Sequence, residues 1–549
     1  MRFAALLCLS AVLSFPINAA DDSNLEVINR IKTEAFDHSK VMDHLAVLTD
    51  RYGPRLTASP EFQQAADWAM SRLKEYGLAN VHAEKWGPFG RSWSLQSYTL
   101  EMITPRYSHL VGAPLAWSGP TQGAITGDVI FAPVIPAGNR FDLKAVKEAL
   151  EKYEADWKGK LRGKIVLISE ATEPKPTTRP LFRRYTDAEL SEIAQAPEPM
   201  PKLAIASIDE MKVPRAEEDA YKYFASLPTA LVDQFYEART GLLTEQAKFF
   251  RDEGVLAVIR ADARAHNGLL FAEAAGSHES KDPLAPPTFV VTEEQYSRMV
   301  RLLEKKQPVS VHLDLQAKAS DQDVDGLNLI GEIPGQKGPD EIVMIGAHFD
   351  SWHTGTGATD NAAGSAVMIE VMRILKTLNL KMNRTVRIGL WSGEEQGLYG
   401  SKAYVKTHFA DPKTMQPKSE YAKFDAYLNL DNGSGKIRGI YLERNDAARP
   451  LFEALLRPFH DLGATTVTLK HTGGTDHLSF DEVGLPGFQF IQDPLDYGTV
   501  THHSDMDTYT HLVPEDLMQA SAIIATLAYD LANREQFVPH KPMPAPLGK

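Results

Sequence analysis

A chain of 549 residues exceeds what a single hydrophobic core ordinarily organises, so two or three domains are expected. With 43% hydrophobic and 24% charged residues it reads as a globular protein rather than a disordered or fibrous one, and a formal charge of −14 argues against nucleic acid as a partner. Its single cysteine, Cys8, excludes an internal disulfide and a thiolate metal site.

Residues 1–20, MRFAALLCLSAVLSFPINAA, combine a basic Arg2, an apolar centre and small residues at the end. That pattern is a secretory signal peptide cleaved near residue 19 or 20, too short to span a membrane, and Cys8 leaves with it. No later segment is apolar for long enough to cross a bilayer. A periplasmic or secreted protein without a membrane span is expected.

Residues 21–118 begin with helical patterning and are assigned to the principal domain. In AADWAMSRLKEYGL (65–78) Ala65, Trp68, Ala69, Leu73 and Leu78 share a face, and Gly77 marks the stop. SLQSYTLEMI (94–103) reads as a strand. From 119 the sequence changes to short strands between glycines, with GKIVLISE (163–170) and GVLAVIRAD (254–262) as buried-strand runs. A long polar and helical stretch, about 172 to 250, separates them and includes the Pro-rich APEPMPKL. Residues 119–295 are therefore read as a β-rich insertion, 296–535 as the catalytic domain and 536–549 as a tail.

Beyond residue 309, strands alternate with helices: VSVHLDLQA, LNLIGEI, EIVMIGAHFD, the helix AVMIEVMRILKTL, then TVRIGLWSG and AYLNLDN. The expected fold is α/β, a mixed and mostly parallel sheet sandwiched by helices.

In such a sheet, functional groups collect where strands end, and five segments there carry acids and imidazoles. EIVMIGA delivers His348, with Asp350 two residues on, placed to orient the ring of a metal-binding His348. GATDNAAG carries Asp360 just before a helix; alone it would read as a cap, but within this set it suits a carboxylate bridging two metals. WSGEEQGLYGS places Glu394 and Glu395 at a turn after a buried strand, Glu395 as ligand and Glu394 as general base. Asp431 ends AYLNLDN as a candidate ligand, and THHSDMDT offers His503 as ligand and His502 as a donor to the oxyanion, the choice between the two open. His353, Asp476, His477 and Tyr497 are read as structural or substrate-shaping.

The ordered set HxD, TDNAAG, SGEEQGLYGS, NLDN and HHS, over roughly 340–510, resembles the co-catalytic di-zinc aminopeptidase family, which includes bacterial leucyl aminopeptidases and carboxypeptidase Q-like peptidases. His-His-Ser is similar to the latter branch. The resemblance implies two Zn2+ per chain, one held by His348, Asp360 and Asp431 and the other by Asp360, Glu395 and His503. It implies Glu394 as general acid/base, Asp350 as a supporting residue, and a protease-associated domain at 119–295. His502 stands where bacterial aminopeptidases of the family carry a tyrosine.

The expected activity is exopeptidase hydrolysis of peptide substrates, with an aminopeptidase as the leading reading. A dipeptidase or carboxypeptidase would need a basic residue for the terminal carboxylate, for which Arg438 and Arg444 are candidates. A glutaminyl cyclase-like acyltransferase with one zinc and a binding protein on a peptidase scaffold are the alternatives. Homodimerisation is left open.

Overall fold

A computed structural model describes residues 22–546 apart from 136–140, 172–177, 179, 197–204, 206, 215–218, 221, 222 and 225. The expected signal peptide, and most of APEPMPKL, lie outside the described residues. Among the described residues no helix is long and apolar enough to cross a membrane.

Among the described residues, two eight-stranded sheets organise the chain beside a small pair, β13 (Ala410–Asp411) and β14 (Gln416–Pro417). The first runs β1 (Ala79–Gly90), β10 (Val324–Ile333), β12 (Arg384–Trp391), β11 (Gly338–His348), β15 (Phe424–Asn429), β18 (Gly487–Gln492), β16 (Ile437–Tyr441), β17 (Thr466–Thr468). Its centre, β12-β11-β15-β18, is parallel, and antiparallel pairs sit toward either edge. The fold is therefore the mixed α/β sandwich expected.

Period-2 geometry explains why β11 is apolar from Ile342 to Ala347. Val343, Ile345 and Ala347 face one core with helices Ala363–Thr377 and Pro514–Asn533, while Ile342 and Met344 face a second core containing Trp391, Tyr404, Tyr427 and Phe480. A strand covered on both faces has no polar side to show.

The helix read at 65–78 spans Pro60–Glu75. Ser59 caps it by accepting the Phe62 N–H at 3.0 Å, Pro60 occupies its first turn, and Gly77 follows in the left-handed region at φ +79°.

The second sheet runs β3 (Ser108–His109), β2 (Trp93–Thr104), β9 (Ser310–Ala319), β5 (Ile125–Phe131), β6 (Ile165–Leu167), β7 (Ala257–Arg260), β8 (Thr288–Val291), β4 (Gly112–Pro114). Its strands extend on both sides of 119–295, because β2 and β9 pair antiparallel from Trp93↔Ala319 to Thr104↔Ser310. Local pattern marks both strands but is silent on their being partners. Within the helical stretch, Asp187–Ala194 carries a capping box from Thr186 and Glu189, and Thr229–Glu253 stops at Gly254 in the left-handed region, φ +72°.

Candidate metal centre

The parallel strands of the first sheet end together, and their C-terminal loops bring the singled-out residues to one place. β11 ends at His348, β12 leads into Ser392–Glu395, β15 leads into Asp431, and the segment after β18 carries His502 and His503.

His348, 1% exposed, donates from Nδ1 to the backbone carbonyl of Asp350 at 3.0 Å. Its Nε2 then faces Asp360 Oδ1 at 3.1 Å and Asp431 Oδ1 at 3.3 Å. A ring nitrogen facing two carboxylate oxygens calls for a cation there, a proton or a metal ion. Burial would push this imidazole down, but Asp431, Glu394 and the contacts to Asp350 and Asp360 hold it well above its ordinary range.

On the opposite side of Asp360, His503 Nε2 lies 3.5 Å from Asp360 Oδ2 and 3.0 Å from Glu395 Oε2. His502 Nε2 is 3.9 Å from the same Asp360 oxygen, and its ring packs on His503 and Tyr497. Burial and the neighbouring His503 push His502 down to about 4. Tyr497 in turn closes against Gly433, where any side chain would meet the tyrosine ring.

Asp350 does more than was expected of it, and differently. Its carbonyl, not its carboxylate, orients His348; the nearer carboxylate oxygen is 3.6 Å from Nδ1. The carboxylate instead accepts the backbone N–H groups of Glu394 and Glu395, each at 3.4 Å, and the Thr57 hydroxyl at 2.8 Å. Thr57 Oγ1 also accepts the Gly393 N–H at 2.9 Å. The turn bearing both glutamates is thus tied to the end of β11.

Asp360 does not cap the following helix, whose first residue is Ala363; its backbone, at φ −129° and ψ 85°, is non-helical. Asp507 and Arg55 set the course of its loop. Arg55, fully buried, donates to the carbonyls of Phe349, Gly53, Thr356 and Gly357 at 2.8 to 3.0 Å. Burial draws its guanidinium down to about 10, and Asp507 and Asp350 oppose that.

Electrostatics mark the cluster as cation-seeking. Burial holds Glu394 well above the carboxylate range, with His348 pulling it back and Asp431, Asp476 and Glu395 adding to the rise. Glu395 is pushed up to about 7 by burial and by Asp360. Asp360 stays below the usual range in spite of burial, because His348, His503 and His502 surround it. So many carboxylates away from water are costly unless cations compensate them.

Among the described residues, two groups have ligand atoms within 4.8 Å of one another, His348/Asp360/Asp431 and Asp360/His502/His503. Asp360 Oδ2 and Glu395 Oε1 are buried without a hydrogen bond. Imidazole nitrogens and carboxylate oxygens with free lone pairs are a donor set that fits zinc. A small cleft lined by Trp352, Gly355, Gly357, Asp360, Glu395 and His503 opens onto the cluster. A larger cleft of about 550 Å3, between helix Asp22–Asp37 and Leu378, holds none of these residues.

The remaining candidates lie in other roles. His353 is buried, bound through Nε2 to the Pro114 carbonyl at 2.8 Å and packed edge-on against Trp93. His477 faces Glu443 and the Thr472 carbonyl. Asp476 is fully buried with both carboxylate oxygens lacking a hydrogen bond, and burial pushes it up to about 7. Arg438 is held by Asp493 at 3.0 Å and by the Gly463 carbonyl at 3.1 Å, which leaves it poorly placed to receive a substrate carboxylate.

Residues 328–528 match the model of peptidase family M28. Carboxypeptidase Q of Mus musculus is 24% identical over 517 residues, covering 94% of this chain and 89% of its own. Carboxypeptidase Q of Bos taurus is 26% identical over 519 residues, with the same coverage of 94% and 89%. Aminopeptidase YwaD of Bacillus subtilis is 26% identical over 335 residues, 57% of this chain and 70% of its own. The crystal structure of a peptidase M28 precursor from Shewanella amazonensis superposes with a TM-score of 0.63 at 23% identity, covering 96% of this chain and 100% of that one. BSAP, a zinc aminopeptidase from Bacillus subtilis, superposes with a TM-score of 0.52 at 18% identity, covering 90% and 95%. These two likenesses are of fold.

Proposed function

We propose that this chain, whose residues 328–528 match the model of peptidase family M28, is a zinc exopeptidase of that family that holds two zinc ions and removes residues from peptide ends, as an aminopeptidase in the first reading. The observation that carries the reading is the two-sided placement of Asp360. One of its oxygens faces His348 at 3.1 Å and the other faces His503 at 3.5 Å, the disposition of a bridging carboxylate. His348 and Asp431 would complete one zinc and Glu395 and His503 the other. A single-zinc cyclase would leave one of the two sides without a purpose.

When bound, the zinc ions would polarise the scissile carbonyl and make a water nucleophilic near neutral pH. Glu394 takes one proton from the attacking water as its oxygen bonds to the carbonyl carbon, and passes that proton to the nitrogen as the C–N bond breaks. Asp350 and Thr57 hold the backbone that places Glu394. His502, beside Asp360, donates to the oxyanion. The surrounding carboxylates favour a free substrate ammonium, which is the charge argument for an aminopeptidase.

Likeness to carboxypeptidase Q along 89% of that protein favours a carboxypeptidase or dipeptidase as the second reading. Zinc content of the purified chain, with hydrolysis of aminoacyl-nitroanilides, unblocked dipeptides and N-blocked peptides, tests both. Two zincs with cleavage of nitroanilides support the aminopeptidase; cleavage confined to dipeptides or N-blocked peptides supports the second reading. One zinc, with glutaminyl peptides cyclised rather than hydrolysed, overturns both.

A further inference from the structure

We propose that Glu273, supplied by the segment between strands β7 and β8 of the second sheet, is a positioning residue that holds His503 by its Nδ1 and so directs Nε2 at Asp360 and Glu395. The inference rests on reading His503 as a zinc ligand. Glu273 Oε1 lies 3.0 Å from His503 Nδ1, across 230 residues of sequence. With the Nδ1 proton donated to a carboxylate, the lone pair of the neutral ring sits on Nε2, and the negative partner makes that nitrogen a better donor to a metal.

Glu273 is itself fixed. Its Oε1 accepts Arg264 Nη2 at 2.8 Å, and Arg264 is held by Asp262 through Nε at 3.0 Å and Nη2 at 3.1 Å. The Arg264 guanidinium also lies over the Phe271 ring, 4.5 Å from its centroid. The Glu273 carbonyl accepts the Ala116 N–H at 3.0 Å, anchoring its backbone within the same unit.

This segment docks directly on the loop that carries both histidines. Leu270 N–H donates to Asp505 Oδ1 at 2.9 Å, and Asp505 N–H donates to the Leu270 carbonyl at 3.0 Å. Val500 packs against Ala265, Leu269 and Phe271. His503 itself sits at φ +61°, a left-handed conformation that a non-glycine residue keeps only when its surroundings enforce it.

The two imidazoles are therefore oriented in different ways. His348 is held by a backbone carbonyl two residues on, just past the end of its own strand, whereas His503 is held by a side chain from the segment between β7 and β8. One half of the metal centre is self-contained, and the other depends on the docking of the second unit.

Zinc per chain, resistance of each zinc to a competing chelator and thermal unfolding, measured on the full chain and on Glu273→Leu, Glu273→Gln and His503→Ala, test this. Glu273→Leu should keep its unfolding temperature within a few degrees and one tightly held zinc, while the other is lost roughly 10–100-fold more readily. Glu273→Gln, whose amide oxygen still accepts the Nδ1 proton, should fall between that variant and the unmodified chain. His503→Ala should lose the same zinc. Two zincs held as firmly in Glu273→Leu as in the unmodified chain would overturn the proposal, as would equal loss of both zincs along with the fold. If His503→Ala leaves zinc binding unchanged, the reading of His503 as a ligand fails, and the role of Glu273 fails with it.

Discussion

Asp507 accepts the backbone N–H of Asp360 at 3.1 Å on one carboxylate oxygen, and its other oxygen takes the N–H and the hydroxyl of Thr359 at 2.6 and 2.7 Å. A residue 147 positions away thus sets the backbone of the carboxylate proposed to bridge two metals. Replacing Asp507 by Ala removes three acceptor contacts while leaving every proposed ligand in place. Metal affinity should fall about 10–100-fold, with activity recovered in excess zinc. Chelator titration followed by zinc add-back measures it, and unchanged chelator resistance would show that the Asp360 loop holds its course unaided.

Glu394→Gln keeps the size of the side chain and removes the base. Because Glu394 is not among the proposed zinc ligands, zinc content should stay unchanged while kcat falls by about 10²–10⁴. Steady-state kinetics beside metal analysis separate the two quantities. Loss of a zinc in this variant would instead make Glu394 a ligand.

Thr57 joins Asp350 to Gly393 through a single hydroxyl, donating to the Asp350 carboxylate and accepting from the Gly393 N–H. Thr57→Val preserves shape and leaves a buried carboxylate oxygen short of a donor and a buried N–H short of an acceptor, a cost of about 1–3 kcal/mol. The expected outcome is a lower denaturation midpoint together with a reduced kcat at constant zinc content. A variant with unaltered kcat would mean that the glutamate turn is placed without this hydroxyl.

His408 ties helix Tyr399–His408 to two carboxylates, with Nε2 at 3.0 Å from Glu84 and Nδ1 at 3.4 Å from Glu420. Burial pulls the imidazole down, but hydrogen bonds to Glu420 and Glu84 and their charges outweigh it and raise it from 6.5 to about 9. Since the folded value exceeds the unfolded one, the stabilisation is complete below pH 6.5 and is lost as pH climbs through 9. On the order of 1–2 kcal/mol should disappear across that window, after screening at this part-exposed site. His408→Gln should flatten the slope, as unfolding temperature against pH would record; an equal slope in both proteins would place the titrating group elsewhere.

The legible part of the site is the part that follows strands. His348, the Glu394–Glu395 pair and Asp431 each come directly after an apolar run, so burial of the run marks the polar residues at its end as purposeful. The helix at Pro60–Glu75 was legible from its apolar face, though its start was placed five residues late, because Ser59 and Pro60 act as cap and first turn without belonging to that face. Arg55, Thr57, Glu273 and Asp507 carried no such mark. Each lies outside the apolar runs, and each reaches the centre only through contacts 147 to 302 residues distant.

By itself the sequence determined the donor chemistry and the α/β sandwich, because side-chain identity and the alternation of buried strands and helices are local properties of the chain. Tertiary structure alone decided which nitrogen of each imidazole faces the carboxylates, that the carbonyl of Asp350 rather than its carboxylate turns His348, and that Glu273 reaches His503 from the segment between β7 and β8. Those outcomes depend on which strands pair and which loops dock. Hydrogen bonds lock a ring only after the chain has brought partners from far apart in sequence to within about 3 Å.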